Sequence, residues 1–311
     1  MNKIKVGVIG IGNLGQHHVR VYSQMEDVQI VGIADINQKK LDKISQQYSV
    51  QKYLDYRELL DKVDAVSIVV PTLLHYCISK DFLFHKVHCF IEKPITVNIN
   101  EAQELIDLSR QNNIIIQVGH IERFNPAIIE AQQYIKKPKF IEAYRLSPFD
   151  SRTAEVGVIL DLMIHDLDII LFLVNSKVKK LEAYGAKVFS QNEDIVKCRL
   201  YFENGCVADL TASRVSTGRY RKIRIFQEDS YISIDYIGQG LKIYRKKKHN
   251  VNSMDDIENI RPKLIKVEQL KLELEHFINC IKEGKKPIVT GEQGRNAVEV
   301  AMEILKELKI M

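Results

Sequence analysis

Three groups of residues in this 311-residue chain have types and spacings that chemistry can use. The first is Gly10-Ile11-Gly12-Asn13-Leu14-Gly15, which follows an apolar run directly and opens an amphipathic one, with Asp35 twenty positions after Gly15. In that context each glycine has a task. Gly10 makes the tight turn, Gly12 lets the backbone approach a pyrophosphate, and Gly15 permits close packing of helix on strand. The helix start offers free N–H groups and a positive dipole end to the phosphates. Asp35 ends the second strand, where a carboxylate accepts hydrogen bonds from the adenosine ribose hydroxyls and repels a 2′-phosphate. Ile36-Asn37 supplies no arginine to welcome such a phosphate, so NAD is expected rather than NADP.

The second group, Glu92-Lys93-Pro94, stands at the carboxyl end of an apolar run, the edge where doubly wound sheets place their ligands. The third is Asp161 and His165, four apart on a predicted helix and so on one face of it. Oxidising a secondary alcohol needs a hydride acceptor facing the carbon and a group that takes the hydroxyl proton. A partly desolvated lysine at the strand edge can accept or relay that proton. An imidazole can accept it near neutral pH, with the aspartate orienting the ring or binding a substrate hydroxyl. Plainer assignments compete at each position: an exposed strand-end lysine, a helix N-terminal carboxylate, a hydrogen-bonded core histidine. Two polar residues interrupting a very apolar helix favour function, because a buried polar group needs a compensating partner. No metal site is expected of Asp161, His165, Asp166 and Asp168, which do not all project to one side.

The elements that must position these groups change character near residue 120. Before it, short β-branched runs (Ile4–Ile9, Gln29–Ala34, Ala65–Val70, Cys89–Ile91, Ile114–Val118) alternate with helical segments such as Gln38–Tyr48, Leu74–His85 and Asn100–Gln111. That rhythm predicts an α/β dinucleotide-binding (Rossmann) domain over residues 1–121 with a doubly wound parallel sheet. After Phe124, Asn125-Pro126 opens a helix, Lys139–Leu146 reads as a strand and Val158–Val174 as one long helix. Ile195–Phe202 and Cys206–Ser213 flank Glu203-Asn204-Gly205, a hairpin signal in which Asn-Gly favours positive φ. Tyr220–Gln227, Tyr231–Tyr236 and Leu241–Lys246 continue as a meander, and helices over Val267–Glu283 and Glu292–Lys309 close the chain. Residues 122–311 are therefore expected to form an α+β domain for substrate binding and oligomerisation, a largely antiparallel sheet with helices on one face. Its uncovered face is where a homodimer or homotetramer is expected to form.

Composition narrows the function classes. Hydrophobic residues make up 45% and charged residues 27%, the balance of a chain that buries a core. A formal net charge of +5 suits an anionic small ligand, but spread over the chain it is no nucleic-acid footprint. No apolar run approaches a membrane span, and Met1-Asn2-Lys3 leads straight into a strand, so a cytoplasmic protein without secretory leader is expected. Five scattered cysteines without a C-x-x-C spacing fit reduced thiols rather than disulfides or zinc. In the basic stretch Arg214, Arg219, Arg221, Lys222 and Arg224, most members are expected to line the exposed side of the sheet rather than face a ligand's diphosphate.

Taken in order, the glycine fingerprint, Pro71-Thr72-Leu73-Leu74-His75, Glu92-Lys93-Pro94, the Asp161-x-x-x-His165 helix and Val289-Thr290-Gly291-Glu292 resemble the glucose-fructose oxidoreductase, inositol dehydrogenase and MocA (Gfo/Idh/MocA) family. The resemblance spans essentially the whole chain. It implies an NAD-dependent sugar dehydrogenase with Lys93, His165 and Asp161 catalytic. Pro71, Thr72, His75, Glu92 and Lys93 would join Gly10, Gly12, Asn13, Leu14, Gly15 and Asp35 at the cofactor. The segment Val118 to Pro126, with Leu160 to Asp166, looks like the branch that oxidises the 3-hydroxyl of UDP-N-acetylglucosamine or a related UDP-sugar. This branch makes a 3-keto sugar nucleotide that a partner aminotransferase aminates for lipid A-type glycolipid synthesis. It implies substrate contacts from Lys93, His120, Arg123, Asn125, Asp161 and His165. The alternatives are a dehydrogenase of free sugars or inositols and, in another class, a non-catalytic NAD-binding sensor, for which proton-transfer groups would be superfluous. Two departures stand out. Lys86 occupies a helix end where the family commonly has glycine, so it must adopt a left-handed conformation or the helix must end differently. Val70 replaces the threonine often found before the proline, removing a hydroxyl on the nicotinamide side.

Overall fold

The computed structural model describes residues 3–150 and 156–310, which divide into two compact units. In the first, β1 (Ile4–Ile9), β2 (Val28–Ala34), β3 (Gln51–Tyr53), β4 (Ala65–Ile68), β5 (His88–Glu92) and β6 (Ile116–Gly119) form a six-stranded sheet. Every pairing is parallel and the order is β3-β2-β1-β4-β5-β6, so the winding direction reverses between β1 and β4. This is the doubly wound sheet expected. The connecting helices are α1 (Gly15–Tyr22), α2 (Gln38–Tyr48), α3 (His75–Phe84) and α4 (Ile99–Asn112). Asn37 and Asn98 cap α2 and α4, each side chain accepting a backbone N–H of the first turn. In this sheet β3 was missed from sequence, being three mostly exposed residues at the edge with no apolar pattern to betray them; the strands Val178–Ala186, Ile257–Ile260 and Leu308–Ile310 of the second unit were missed as well.

The departure at Lys86 has a structural answer. Lys86 has φ 60°, and α3 ends with Val87 N–H donating to the Phe82 carbonyl (3.0 Å) and Lys86 N–H to that of Leu83 (3.0 Å). This is the Schellman closure, whose left-handed residue glycine fills without a Cβ penalty. Lys86→Gly is expected to stabilise the protein by about 1 kcal/mol, raising its Tm by roughly 2–4 °C. A lower Tm in a thermal scan would show that the lysine side chain offsets its backbone cost.

The second unit contains α5 (Pro126–Ala131), β7 (Phe140–Leu146), α6 (Ile164–Val174), β8 (Val178–Ala186), β9 (Ile195–Phe202) and β10 (Val207–Ser213). These are followed by β11 (Tyr220–Phe226), β12 (Ser230–Asp235), β13 (Gly240–Lys246) and β14 (Ile257–Ile260). The chain closes with α7 (Gln269–Glu283), α8 (Gly291–Glu307) and β15 (Leu308–Ile310). The nine-stranded sheet runs β14-β13-β12-β11-β7-β10-β9-β8-β15 and is largely antiparallel, with β7–β10 and β8–β15 parallel. Alternate residues of β7, β9 and β10 are buried, the pattern of a sheet with one covered face. In the β9–β10 turn Gly205 takes φ 83°, whereas Asn204 is not among the positive-φ residues, so only the glycine of the Asn-Gly pair has the left-handed role expected of it.

Two expectations need correction. Residues 268–298 belong to the first unit, not to the second with the rest of 122–311. The cause is packing: the apolar face of α7 (Leu270, Leu274, Phe277, Ile278) joins the core formed by Val6, Val8, Val19 and Phe90. The helix predicted over Val158–Val174 is not uniform either. It begins with a π-helical turn, Ile159–Met163, and becomes α-helical only at Ile164. Among the described residues no helix is long and apolar enough to cross a membrane.

Candidate functional site

In the first unit the glycine loop behaves as its spacing implied. Gly10 has φ 82°, and a Cβ there would strike the Val69 carbonyl. At Gly15 a Cβ would overlap the Gly10 carbonyl oxygen, so the start of α1 can lie against the turn only without a side chain. Gly12 is the reverse case, since nothing lies within 4 Å of where its Cβ would be. Its backbone is open to a ligand, and α1 has no side-chain cap at Leu14; Gln16 and His17 N–H turn back on the Gly12 and Leu14 carbonyls, so the N–H groups just before them are the ones left to an anion or water.

Asp35 lies just past β2, half-buried. Its Oδ2 accepts the Ile11 N–H (2.8 Å) and its Oδ1 that of Asn37 (2.8 Å), so the carboxylate braces the glycine loop while keeping lone pairs for a ribose. A cleft of about 600 Å³ gathers Gly10, Gly12, Asp35 and Pro71, at the carboxyl ends of β1, β2 and β4 where the winding reverses. Asn13, Leu14, Gly15, Thr72, His75, Glu92 and Lys93 are not among its lining residues. Sequence reasoning missed Leu54, Tyr56, Lys40 and Arg57 on its rim, which arrive from α2 and from the segment after β3 and carry no motif. Arg57 is paired with Asp55 (3.3 Å). These residues fit a dinucleotide: an open backbone for the pyrophosphate, a carboxylate for the ribose and an apolar wall.

Cys77, exposed on α3, lines this cleft, whereas Cys89, Cys198, Cys206 and Cys280 are buried. Iodoacetamide is expected to alkylate Cys77 alone in the native protein, and saturating NAD⁺ to slow that labelling severalfold. Equal labelling rates with and without NAD⁺ would place the dinucleotide elsewhere.

Around Lys93 the chain is tightly braced. Glu92, 8% exposed, has its Oε1 3.3 Å from Nε2 of the fully buried His18 and its Oε2 3.2 Å from the Lys93 N–H. Gly119 closes the other side, since a Cβ there would stand 2.9 Å from the Glu92 carboxylate. His18 escaped the sequence reading; its spacing from Gly15, which turns it toward the sheet, was the signal. Lys93 itself is half-buried at the end of β5, followed by a cis peptide to Pro94. His75 corrects an expectation. Its Nδ1 is 2.8 Å from the Pro94 carbonyl and its Nε2 2.9 Å from that of Val70, so both nitrogens are engaged by backbone. Burial pushes this imidazole below its ordinary pKa, against the pull of the two carbonyls. The ring ties the segments after β4 and β5 together rather than presenting a nitrogen to a cofactor. His120 lies just beyond β6 and is 1% exposed.

In the second unit, two expected substrate contacts turn out to be structural. Arg123 is 2% exposed, donates to both oxygens of Asp168 (2.6 and 2.9 Å) and stacks 3.9 Å from the Phe172 ring centre. Asn125 is fully buried; it caps α5 by accepting the Ala127 N–H (3.0 Å) and donates to Glu122 and to the Tyr236 carbonyl. Arg145 donates to both oxygens of Asp166 (2.8 and 3.0 Å) and to Glu122 (3.0 Å). Asp166 and Asp168 thus face buried arginines. Asp161, in the π-helical turn, and His165, in the first turn of α6, remain half-buried. A π-turn widens the helix locally and often marks a functional position. Among the described residues no cluster of three or more metal-ligating side chains is present.

Comparison with known proteins agrees with this geometry. Residues 4–120 match the family model described as an oxidoreductase family with an NAD-binding Rossmann fold, and residues 132–233 match the Gfo/Idh/MocA C-terminal domain. The chain is 33% identical to UDP-N-acetylglucosamine 3-dehydrogenase of Acidithiobacillus ferrooxidans over 98% of this chain and 97% of that one. A solved structure of that enzyme superposes with a TM-score of 0.92, covering 99% of this chain and 98% of the other. The chain is also 26% identical to scyllo-inositol 2-dehydrogenase (NAD(+)) of Bacillus subtilis over 97% of this chain and 93% of the relative.

Proposed function

The chain belongs to the Gfo/Idh/MocA family and is an NAD-dependent dehydrogenase acting on a CH–OH group of a sugar; from that premise we propose that it oxidises the 3-hydroxyl of UDP-N-acetylglucosamine or a closely related UDP-sugar. The observation that carries this reading is the match to a UDP-N-acetylglucosamine 3-dehydrogenase over nearly the full length of both chains. When bound, NAD⁺ supplies the hydride acceptor.

The residues of this chain do the rest. Gly10, Gly12 and the first N–H groups of α1 hold the pyrophosphate, and Asp35 holds the ribose. His75 and Glu92 keep the segments on either side of Lys93 in place through the contacts described above. The Lys93 Nζ and the His165 ring accept or relay the hydroxyl proton, and Asp161 binds or orients the hydroxyl. The product is a 3-keto sugar nucleotide, suited to a partner aminotransferase.

The test follows NADH absorbance as purified protein and NAD⁺ are titrated with UDP-N-acetylglucosamine. An aminotransferase and glutamate should drain the ketone, because this oxidation runs uphill near neutral pH. NADH that depends on the UDP-sugar supports the reading. No signal from a protein that still binds NAD⁺ defeats it and moves the search to free sugars and inositols. Binding of NAD⁺ without turnover of any sugar would instead support a sensor.

A further inference from the structure

The basic stretch from Arg214 to Arg224 divides according to its partners. Arg214 is buried against Asp194 (3.2 Å). Lys222 lies 5.1 Å from the Tyr220 ring centre, and Arg224 pairs with Glu142 at 2.7 Å. Arg221 differs from all of these. It stands directly opposite Arg145 in the β7–β11 register, so the two side chains share the sheet face that carries Ile223 and Ile225. That is the covered face, where Arg145 reaches Asp166 of α6. Arg221 is half-buried, and among the described residues its guanidinium has no hydrogen-bond acceptor; its Nε is closed off from solvent without one.

The nearest carboxylates are already committed. Both oxygens of Asp166 and one of Glu122 serve Arg145, and the other Glu122 oxygen accepts from Asn125 (3.3 Å). Burial first, and then the adjacent Arg145, hold the Arg221 guanidinium below its ordinary pKa; Glu122 and Asp166 pull the other way without offsetting them, and exposed Arg219 adds to the repulsion. Two arginines directly opposite on paired strands destabilise a sheet, and a half-buried charge without acceptors adds to that cost. Such a charge is understandable where a ligand supplies what the protein omits. A guanidinium fork matches two phosphate oxygens and stays charged at any working pH.

We propose that Arg221, with Arg219 beside it, receives the diphosphate of a sugar nucleotide on the covered face of the nine-stranded sheet. This assignment rests on the UDP-sugar reading and gives it an anchor that free sugars and inositols would not use.

UDP, titrated calorimetrically into protein already saturated with NAD⁺, tests it. Arg221→Gln is expected to weaken UDP binding roughly thirtyfold, with Arg221→Lys intermediate and NAD⁺ affinity unchanged. The KM for UDP-N-acetylglucosamine should rise with it while kcat changes little. The ligand-free Arg221→Gln protein should melt at the wild-type temperature or above, because a half-buried charge that its neighbours only partly offset has been removed; a merely structural arginine would lower it. If wild type turns over UDP-N-acetylglucosamine and Arg221→Gln keeps its UDP affinity and KM, the anchor is wrong and the functional reading stands. If wild type neither binds UDP nor uses the UDP-sugar, the functional reading fails, and inorganic pyrophosphate with NAD⁺ saturating decides the rest. Pyrophosphate binding lost in Arg221→Gln keeps an anion site for another phosphorylated substrate; absent or unchanged binding overturns it.

Discussion

Lys93→Ala is expected to lower turnover of the sugar substrate about a thousandfold while NAD⁺ affinity, read by fluorescence titration, stays within severalfold of wild type. The side chain stands at the carboxyl edge of β5, and the Lys93 N–H donates to Glu92, which is wedged between His18 and Gly119. Truncation therefore removes the amine but leaves its support intact. His18, Glu92 and Lys93 are not among the residues lining the dinucleotide cleft, so the cleft should survive. His165→Ala should cost a similar factor. If the two groups serve one proton path, the double variant will lose little more than either single one, since residues acting as a unit are strongly non-additive. Full activity in both single variants would falsify this assignment of the proton path. Loss of NAD⁺ binding in Lys93→Ala would make the lysine a cofactor ligand and leave the proton to His165.

Arg145→Ala should be the most damaging single change to the second unit, destabilising it by about 3–5 kcal/mol. Arg145 is 1% exposed, and although burial opposes its charge, Asp166 and then Glu122 hold its guanidinium above the ordinary arginine pKa. The ring of Tyr236 lies 5.1 Å beneath it. Removing the cation strands two carboxylates among apolar neighbours, and that stranded charge is the source of the loss. Replacing Arg145, Glu122 and Asp166 together by apolar residues of matched volume should cost far less, because no charge is left uncompensated. Near-UV circular dichroism during thermal melting would separate the cases. A triple variant as unstable as Arg145→Ala would mean that shape, not charge, is what the network contributes.

Elements whose residues interact locally are legible in the amino-acid sequence by itself. The glycine loop is one: a turn, an open backbone and a close helix–strand approach each exclude a Cβ, so Gly10, Gly12 and Gly15 announce their geometry. Lys86 is legible for the same reason, a position whose left-handed backbone is dictated by where a helix must stop. The parallel sheet is readable because strands buried on both faces must be apolar throughout, whereas β3, polar and at an edge, has no such need. Asp35 and Lys93 are marked by their places at strand ends.

What the chain could not reveal alone was the choice of partner among like residues. Arg123, Arg145, Arg214 and Arg221 look alike in sequence; three are neutralised by aspartates or a glutamate distant in the chain, and Arg221 is not. Which carboxylate meets which arginine depends on the register of β7 and β11 and on the packing of α6 over the sheet. The same holds for α7, whose amphipathic pattern names a face to bury but not the core that receives it. Local sterics and periodicity act over a few residues and are written in sequence order; the pairing of charges and of apolar faces is decided only when distant segments compete for the same neighbours.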